Sequence, residues 1–406
     1  MSQGTVPCGD LARTGRCAGP GLVSEPQVVR RFTTPAGPSL PTVADGVMYV
    51  SDAEGNACAF DIDSGHRLWH QQHCDNPQDH DDWDFMRLEW PPALTPGLVI
   101  IDTGEETFGC ERSDGQLRWK IEGAGRPTVV DDLLLRVGIN GIEALDAASG
   151  RLRWQTSERS DNHTYGLLSV HPTIADGMVL VAEGFEPHRH EVSGVHAFDL
   201  RTGALRWEIW GDDESACPRL PPCDTPDALL FAHPPVWAHG LVWVVQGWLH
   251  ADHPNEPKLV GLDPRTGRPE RTLTLKGADD AYESPAGAPI FGPDLAYCRT
   301  DKRIDALDLA TGTVQWTRYL DASMVGAPLL AGNILHLATE NGGLQALDAG
   351  TGDLRWSIAL DEAATWSADF PADAGEEIGY EEIATPLVLI DGSLFARTDN
   401  AVLLLC

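Results

Sequence analysis

The chain has 406 residues, with 61 Asp and Glu against 29 Lys and Arg, for a net charge of −32. A surface this acidic repels phosphate backbones and anionic lipid, which excludes nucleic acid and anionic membranes as partners and leaves solubility as the plainest role of the charge. No apolar run is long enough to span a membrane and residues 1–26 lack the apolar core of a secretion signal, so the sequence predicts a cytoplasmic protein without membrane attachment.

Residues 1–26 form a Gly-, Pro- and Arg-containing extension that reads as irregular. Residues 27–34 (QVVRRFTT) read as a single strand. A short phrase then recurs: a small apolar pair, an acidic residue, Thr or Ser, Gly, and Trp four residues after the Gly. Its copies are Ala59-Phe60-Asp61 with Ser64-Gly65 and Trp69; Cys110-Glu111 with Asp114-Gly115 and Trp119; Ala144-Leu145-Asp146 with Ser149-Gly150 and Trp154; and Ala197-Phe198-Asp199 with Thr202-Gly203 and Trp207. Three more follow at Gly261-Leu262-Asp263 with Thr266-Gly267, where Arg271 replaces Trp; at Ala306-Leu307-Asp308 with Thr311-Gly312 and Trp316; and at Ala346-Leu347-Asp348 with Thr351-Gly352 and Trp356.

The acidic residue can accept turn amides and Gly supplies positive φ, so each copy reads as a hairpin joining two strands. A second hairpin precedes each copy, as in 41–50 (PTVADGVMYV) and 172–181 (PTIADGMVLV). Each unit therefore has four strands, A to D. Such arrays are β-propellers, whose sheets bury their faces against neighbouring blades. Residues 385–405 supply only strands A to C, and 27–34 supply the missing D strand, with Phe32 in the Trp position. The expectation is an all-β fold: an eight-bladed β-propeller of four-stranded antiparallel blades over 27–406, closed by pairing the N-terminal strand with the C-terminal blade.

The Ala-x-Asp-x-x-Thr-Gly-x-x-x-Trp pattern resembles the pyrroloquinoline-quinone-like (PQQ-like) repeat family over about residues 27–406. The resemblance implies the propeller fold. The family includes quinoprotein alcohol dehydrogenases, the lipoprotein scaffold of outer-membrane protein assembly and sensor domains of bacterial kinases. Its quinone-binding members carry an adjacent cysteine pair and a calcium-ligating set. No two cysteines are adjacent here, so PQQ is set aside as a cofactor. The nine cysteines are expected to be mostly thiols in a reducing compartment, with Cys217 and Cys223, and Cys8 and Cys17, as the two pairs that could form disulfides.

The A to B and C to D turns are minimal, so every insertion falls in the B to C and D to A connections, which leave a propeller at one and the same face. That face is where functional residues are expected. Its insertions hold Trp83, Trp90, Tyr165, Trp248, Trp366 and Tyr380, aromatics outside the repeat pattern that could line a small-molecule pocket. They also hold His188, His190, His250 and His253, a candidate divalent-metal set. The residues before the strand-A Pro are Leu40, Pro91, Arg126, His171, His233, Ala288, Ala327 and Thr385. This alignment sets His171 and His233 at one height on adjacent blades with Arg126 beside them, a candidate acid/base group. Two classes of function follow: a small-molecule binder, with metal-assisted or acid/base lyase, cyclase or hydrolase chemistry, or a non-catalytic scaffold for a protein partner. A quinone-dependent dehydrogenase is a minor third.

Overall fold

The repeated phrase folds as a hydrogen-bonded turn. In copy one, Oδ1 of Asp61 accepts the Ser64 amide at 2.7 Å, and Gly65 takes φ +77°. Asp146, Asp199, Asp263, Asp308 and Asp348 receive the matching amide of Ser149, Thr202, Thr266, Thr311 and Thr351. An arginine one residue before the Trp adds a charge-assisted clamp in four copies, Arg118 on Glu111, Arg153 on Asp146, Arg206 on Asp199 and Arg355 on Asp348. These bonds hold the Asp carboxyls below their ordinary range.

The computed structural model describes residues 10–35, 37–52, 55–73, 91–103, 106–123, 125, 127–138, 141–156, 172–183, 194–210, 230–231, 234–247, 258–275, 287–300, 302–360, 387–398 and 400–406. Among them there is no helix. The extension contributes β1 (Arg16–Cys17) and β2 (Val28–Phe32). Blade 1 is β3 (Thr42–Ala44), β4 (Val47–Ser51), β5 (Asn56–Asp61) and β6 (Arg67–Gln72), and blade 2 is β7 (Ala93–Leu94), β8 (Leu98–Asp102), β9 (Glu106–Glu111) and β10 (Leu117–Glu122). Blade 3 is β11 (Thr128–Val130), β12 (Leu133–Gly138), β13 (Gly141–Asp146) and β14 (Leu152–Gln155); blade 4 is β15 (Thr173–Ala175), β16 (Met178–Glu183), β17 (Gly194–Asp199) and β18 (Leu205–Trp210). Blade 5 adds a short β19 (Leu230–Phe231) to β20 (Val236–Ala238), β21 (Leu241–Gly247), β22 (Lys258–Leu262) and β23 (Pro269–Thr274). Blade 6 is β24 (Ile290–Phe291), β25 (Leu295–Arg299), β26 (Arg303–Asp308) and β27 (Val314–Tyr319); blade 7 is β28 (Met324–Ala331), β29 (Ile334–Thr339), β30 (Gly343–Asp348) and β31 (Leu354–Ala359). Blade 8 is β32 (Leu387–Ile390), β33 (Ser393–Thr398) and β34 (Ala401–Leu405), with β2 as its outer strand.

The ring thus closes as the sequence predicts, through antiparallel pairing of β2 with β34. The register corrects one detail. Leu404 faces Arg30 across β34 and β2, as Ala144 faces Trp154 in blade 3, so Arg30 and not Phe32 holds the Trp position. Its guanidinium bonds the carbonyls of Asp63 and Ser64 in blade 1, while Phe32 packs edge-on against Phe60 at 5.6 Å.

The core is divided among the blade interfaces, as in the cluster of Tyr49, Ala59 and Trp69 with Val99, Ile101 and Phe108 between blades 1 and 2. The repeat Trp roofs the next blade's turn glycine: a Cβ on Gly352 would lie 2.6 Å from Trp316. Blade 5, lacking that Trp, covers Gly312 with Leu273, and Trp243, buried at 1% exposure, packs 5.5 Å from Phe291 of blade 6.

The part of the N-terminal extension from residue 10 follows a defined path. It runs as a strap along the inner rim of blades 4 to 8, bonding the innermost strand of each. Ile174, Trp237, Phe291 and Leu330, in blades 4 to 7, donate to the carbonyls of Leu11, Ala12, Thr14 and Gly15 at 2.7–2.9 Å. In blade 8 the backbone of Leu389 bonds the Cys17 thiol. All five residues stand two positions before an A to B turn, so the strap lies at the end of the channel opposite the long connections.

Candidate functional site

The D to A and B to C connections leave the described strands at one end of the ring, and the composition of these stretches is one-sided. Residues 361–386 contain eight carboxylates and neither Lys nor Arg; residues 74–90 contain six carboxylates against Arg87 alone. A dense run of carboxylates favours a cationic partner and disfavours an anionic one.

The candidate residues Arg126, His171, His233, Trp83, Trp90, Tyr165, Trp248, Trp366, Tyr380, His188, His190, His250 and His253 lie outside the described residues. The strands around them do test the alignment that joined His171 to His233. Thr42 of blade 1 donates its hydroxyl to the carbonyl of Pro92 at 2.5 Å, and Thr173 of blade 4 makes the same bond to Pro235 of blade 5. Val236 faces Trp243 as Thr42 faces Tyr49. Pro235 is therefore the counterpart of Pro41 and Pro172, and His171 aligns with Pro234. His233 precedes that position by one residue. In blade 8, Val388 faces Phe395, which likewise makes Pro386, and not Thr385, the counterpart of Leu40. Of the remaining ring positions, Leu40, Pro91, Ala288 and Ala327 are buried and apolar.

His73, at the end of β6, is the described histidine nearest the long connections. Its Nε2 lies 3.1 Å from the Gly115 carbonyl and 3.1 Å from Sγ of Cys110. Burial holds His73 below its ordinary range and pushes the Cys110 thiol up to about 12. A thiol held neutral beside a neutral imidazole is a packing pair, not an activated nucleophile. Cys17, Cys58 and Cys298 are free thiols raised to about 12 in the same way by burial.

The residues present do not match a quinone site: no two cysteines are adjacent in the sequence. Among the described residues no three His, Cys, Asp or Glu side chains converge as metal ligands, and no helix is long and apolar enough to cross a membrane.

Comparison with known proteins fits this architecture. The family model described as outer membrane protein assembly factor BamB matches residues 25–122, 73–214 and 258–378. A curated BamB from Xanthomonas campestris pv. campestris is 30% identical over 84 residues, which is 20% of either chain. Among solved structures, BamB from Moraxella catarrhalis superposes with TM-score 0.61 at 17% identity, covering 94% of this chain and 99% of that one. A quinohemoprotein alcohol dehydrogenase from Comamonas testosteroni gives 0.64 at 15% identity, covering 98% and 79%. A europium-containing methanol dehydrogenase gives 0.66 at 13%, covering 98% and 96%. At such identities the superpositions speak for the fold alone.

Proposed function

Since this chain belongs to the PQQ-like propeller family of outer membrane protein assembly factor BamB, we propose that it is a non-catalytic scaffold that binds a protein partner through its long-connection face. The observation that carries this reading is the concentration of carboxylates in the stretches that leave that end, above all 361–386. The partner chemistry they suit is a cationic protein surface. Replacing the eight carboxylates of 361–386 by Asn and Gln should weaken binding of a polylysine peptide by about ten-fold at low salt. Neutralising the exposed carboxylates Glu25, Asp63 and Asp114 elsewhere on the ring should change it far less. Equal loss in both variants would contradict the reading. The cytoplasmic location expected from the sequence belongs to this proposal, and recovery of the protein in an envelope fraction would overturn that part.

A second reading, a small-molecule site, is favoured by the strap. It lines the opposite rim along five blades, so a ligand would approach the channel from the long-connection end. In that reading Trp83, Trp90, Tyr165, Trp248, Trp366 and Tyr380 line the pocket, His188, His190, His250 and His253 hold a divalent metal, and Arg126, His171 and His233 supply acid/base groups for lyase, cyclase or hydrolase chemistry. Elemental analysis together with His171→Ala and His233→Ala variants tests it: no metal and unaltered ligand binding in both variants would remove it.

A further inference from the structure

The strap is held largely through its main chain, with the side chains of Arg13 and Thr14 buried along it. The amides of Ile174, Trp237, Phe291 and Leu330 each reach one strap carbonyl, and only Arg16 and Cys17 form a ladder, parallel to β28. Recognition of this kind reads the course of a backbone, here with positive φ at Arg13, Gly15 and Gly19, more than its side chains. Selectivity enters where space is short. Gly15 has φ +74°, and a Cβ there would lie 2.6 Å from Cγ1 of Ile290; a Cβ on Gly21 would lie 2.7 Å from the Ala331 carbonyl oxygen. Apolar anchors stand at the two ends, Leu11 against the core of blades 3 and 4 and Leu22 against that of blades 7 and 8. The strap joins the ring only through the exposed residues Val23, Ser24 and Glu25.

We propose that the inner rim of blades 4 to 8 is a peptide-binding track, and that residues 11–22 are its resident ligand in cis. Its ligand class is a peptide that can follow this backbone course, with an apolar residue at each end and glycine at the places of Gly15 and Gly21. The rim amides stay fixed by their own blades whether or not the strap is covalently attached, so the same track accepts such a peptide in trans once the strap is withdrawn. This site lies at the opposite mouth from the face discussed above and stands independently of that reading.

The test places a specific protease site at Ser24-Glu25, cleaves the folded full chain, and follows a labelled synthetic peptide of residues 10–23 by fluorescence anisotropy. The cut chain should take up one peptide per ring. The uncut chain, with its strap at high effective concentration, should bind on the order of a hundred-fold more weakly. A Gly15→Val peptide should bind the cut chain at least about ten-fold more weakly than the native sequence. If the cut chain loses structure as its strap departs, added native peptide should restore its circular dichroism spectrum. Failure of the peptide to enter the cut chain or to restore its structure, or equal binding by the Gly15→Val peptide, would overturn the proposal.

Discussion

The indole N–H of Trp356 donates to the carbonyl of Leu22 at 2.7 Å. In four other blades the repeat Trp donates to the residue that follows the acidic residue of the next blade, Trp69 to Arg112, Trp154 to Leu200, Trp207 to Pro264 and Trp316 to Ala349, while the buried Trp119 indole N–H makes no such bond. In blade 8 the outer strand is β2, so no C to D turn joins it to β34, and the strap supplies Trp356 with the carbonyl that such a turn provides elsewhere. The bond ties strap to ring closure.

Removal of residues 1–22 should therefore destabilise the propeller at the seam between blades 7 and 8. The indole N–H would lose its partner, a cost of about 1–3 kcal/mol, and the apolar contacts of Cys17 and Leu22 would be lost as well. Thermal unfolding should show a clear decrease. An unchanged melting temperature would contradict this role.

Two glycines in positive-φ turns should respond differently to alanine. At Gly352 a Cβ would collide with the Trp316 ring, whereas at Gly46 nothing lies within 4 Å. Gly46→Ala should cost about 1 kcal/mol from backbone conformation alone. Gly352→Ala should cost about 2–4 kcal/mol, because the indole must also shift. Chemical denaturation compares the two directly.

Ring closure offers a third contrast. Phe32, at 2% exposure, is a core residue, and Phe32→Ala should cost about 3–5 kcal/mol. Arg30→Trp places the repeat residue where the register expects it and should stay within about 1 kcal/mol of the parent. If Phe32 instead occupied the Trp position, Arg30→Trp would be the disruptive change.

His336 predicts a pH dependence. It is fully buried, its Nε2 accepts the Leu22 amide at 3.0 Å, and burial in blade 7 pushes it down to about 4. The unfolded chain protonates this imidazole near its ordinary value of 6.5. Between 6.5 and about 4 the unfolded state therefore binds the extra proton, and stability falls as pH drops through that window. The loss should be about 3 kcal/mol, and it should be much smaller in a His336→Phe variant, in which carboxylate protonation at lower pH remains. Equal acid sensitivity of the two proteins would contradict the assignment.

The blades were legible because each repeat writes its hairpin in side chains: Asp146 must face the Ser149 amide, and Gly150 must yield to a Trp ring. The strap was not, because rim amides bond the carbonyls of Leu11, Ala12, Thr14 and Gly15, and a carbonyl leaves no mark in a sequence. Arg30 is hidden because no C to D turn precedes β2 to anchor the count, and the aromatic Phe32 is the obvious substitute for Trp. His233 was set beside His171 because Pro234-Pro235 offers two prolines for one position, and only the strand pairing of Val236 with Trp243 chooses between them. The long connections carry no repeat to align, so their chemistry was legible as composition alone.

Hydrogen-exchange mass spectrometry with and without a bound polylysine peptide tests the proposed working face most directly. The account predicts protection in segments 74–90, 211–229 and 361–386 and none at the opposite turns 45–46, 176–177 and 391–392. Protection at those turns, with the three long segments unaffected, would contradict it.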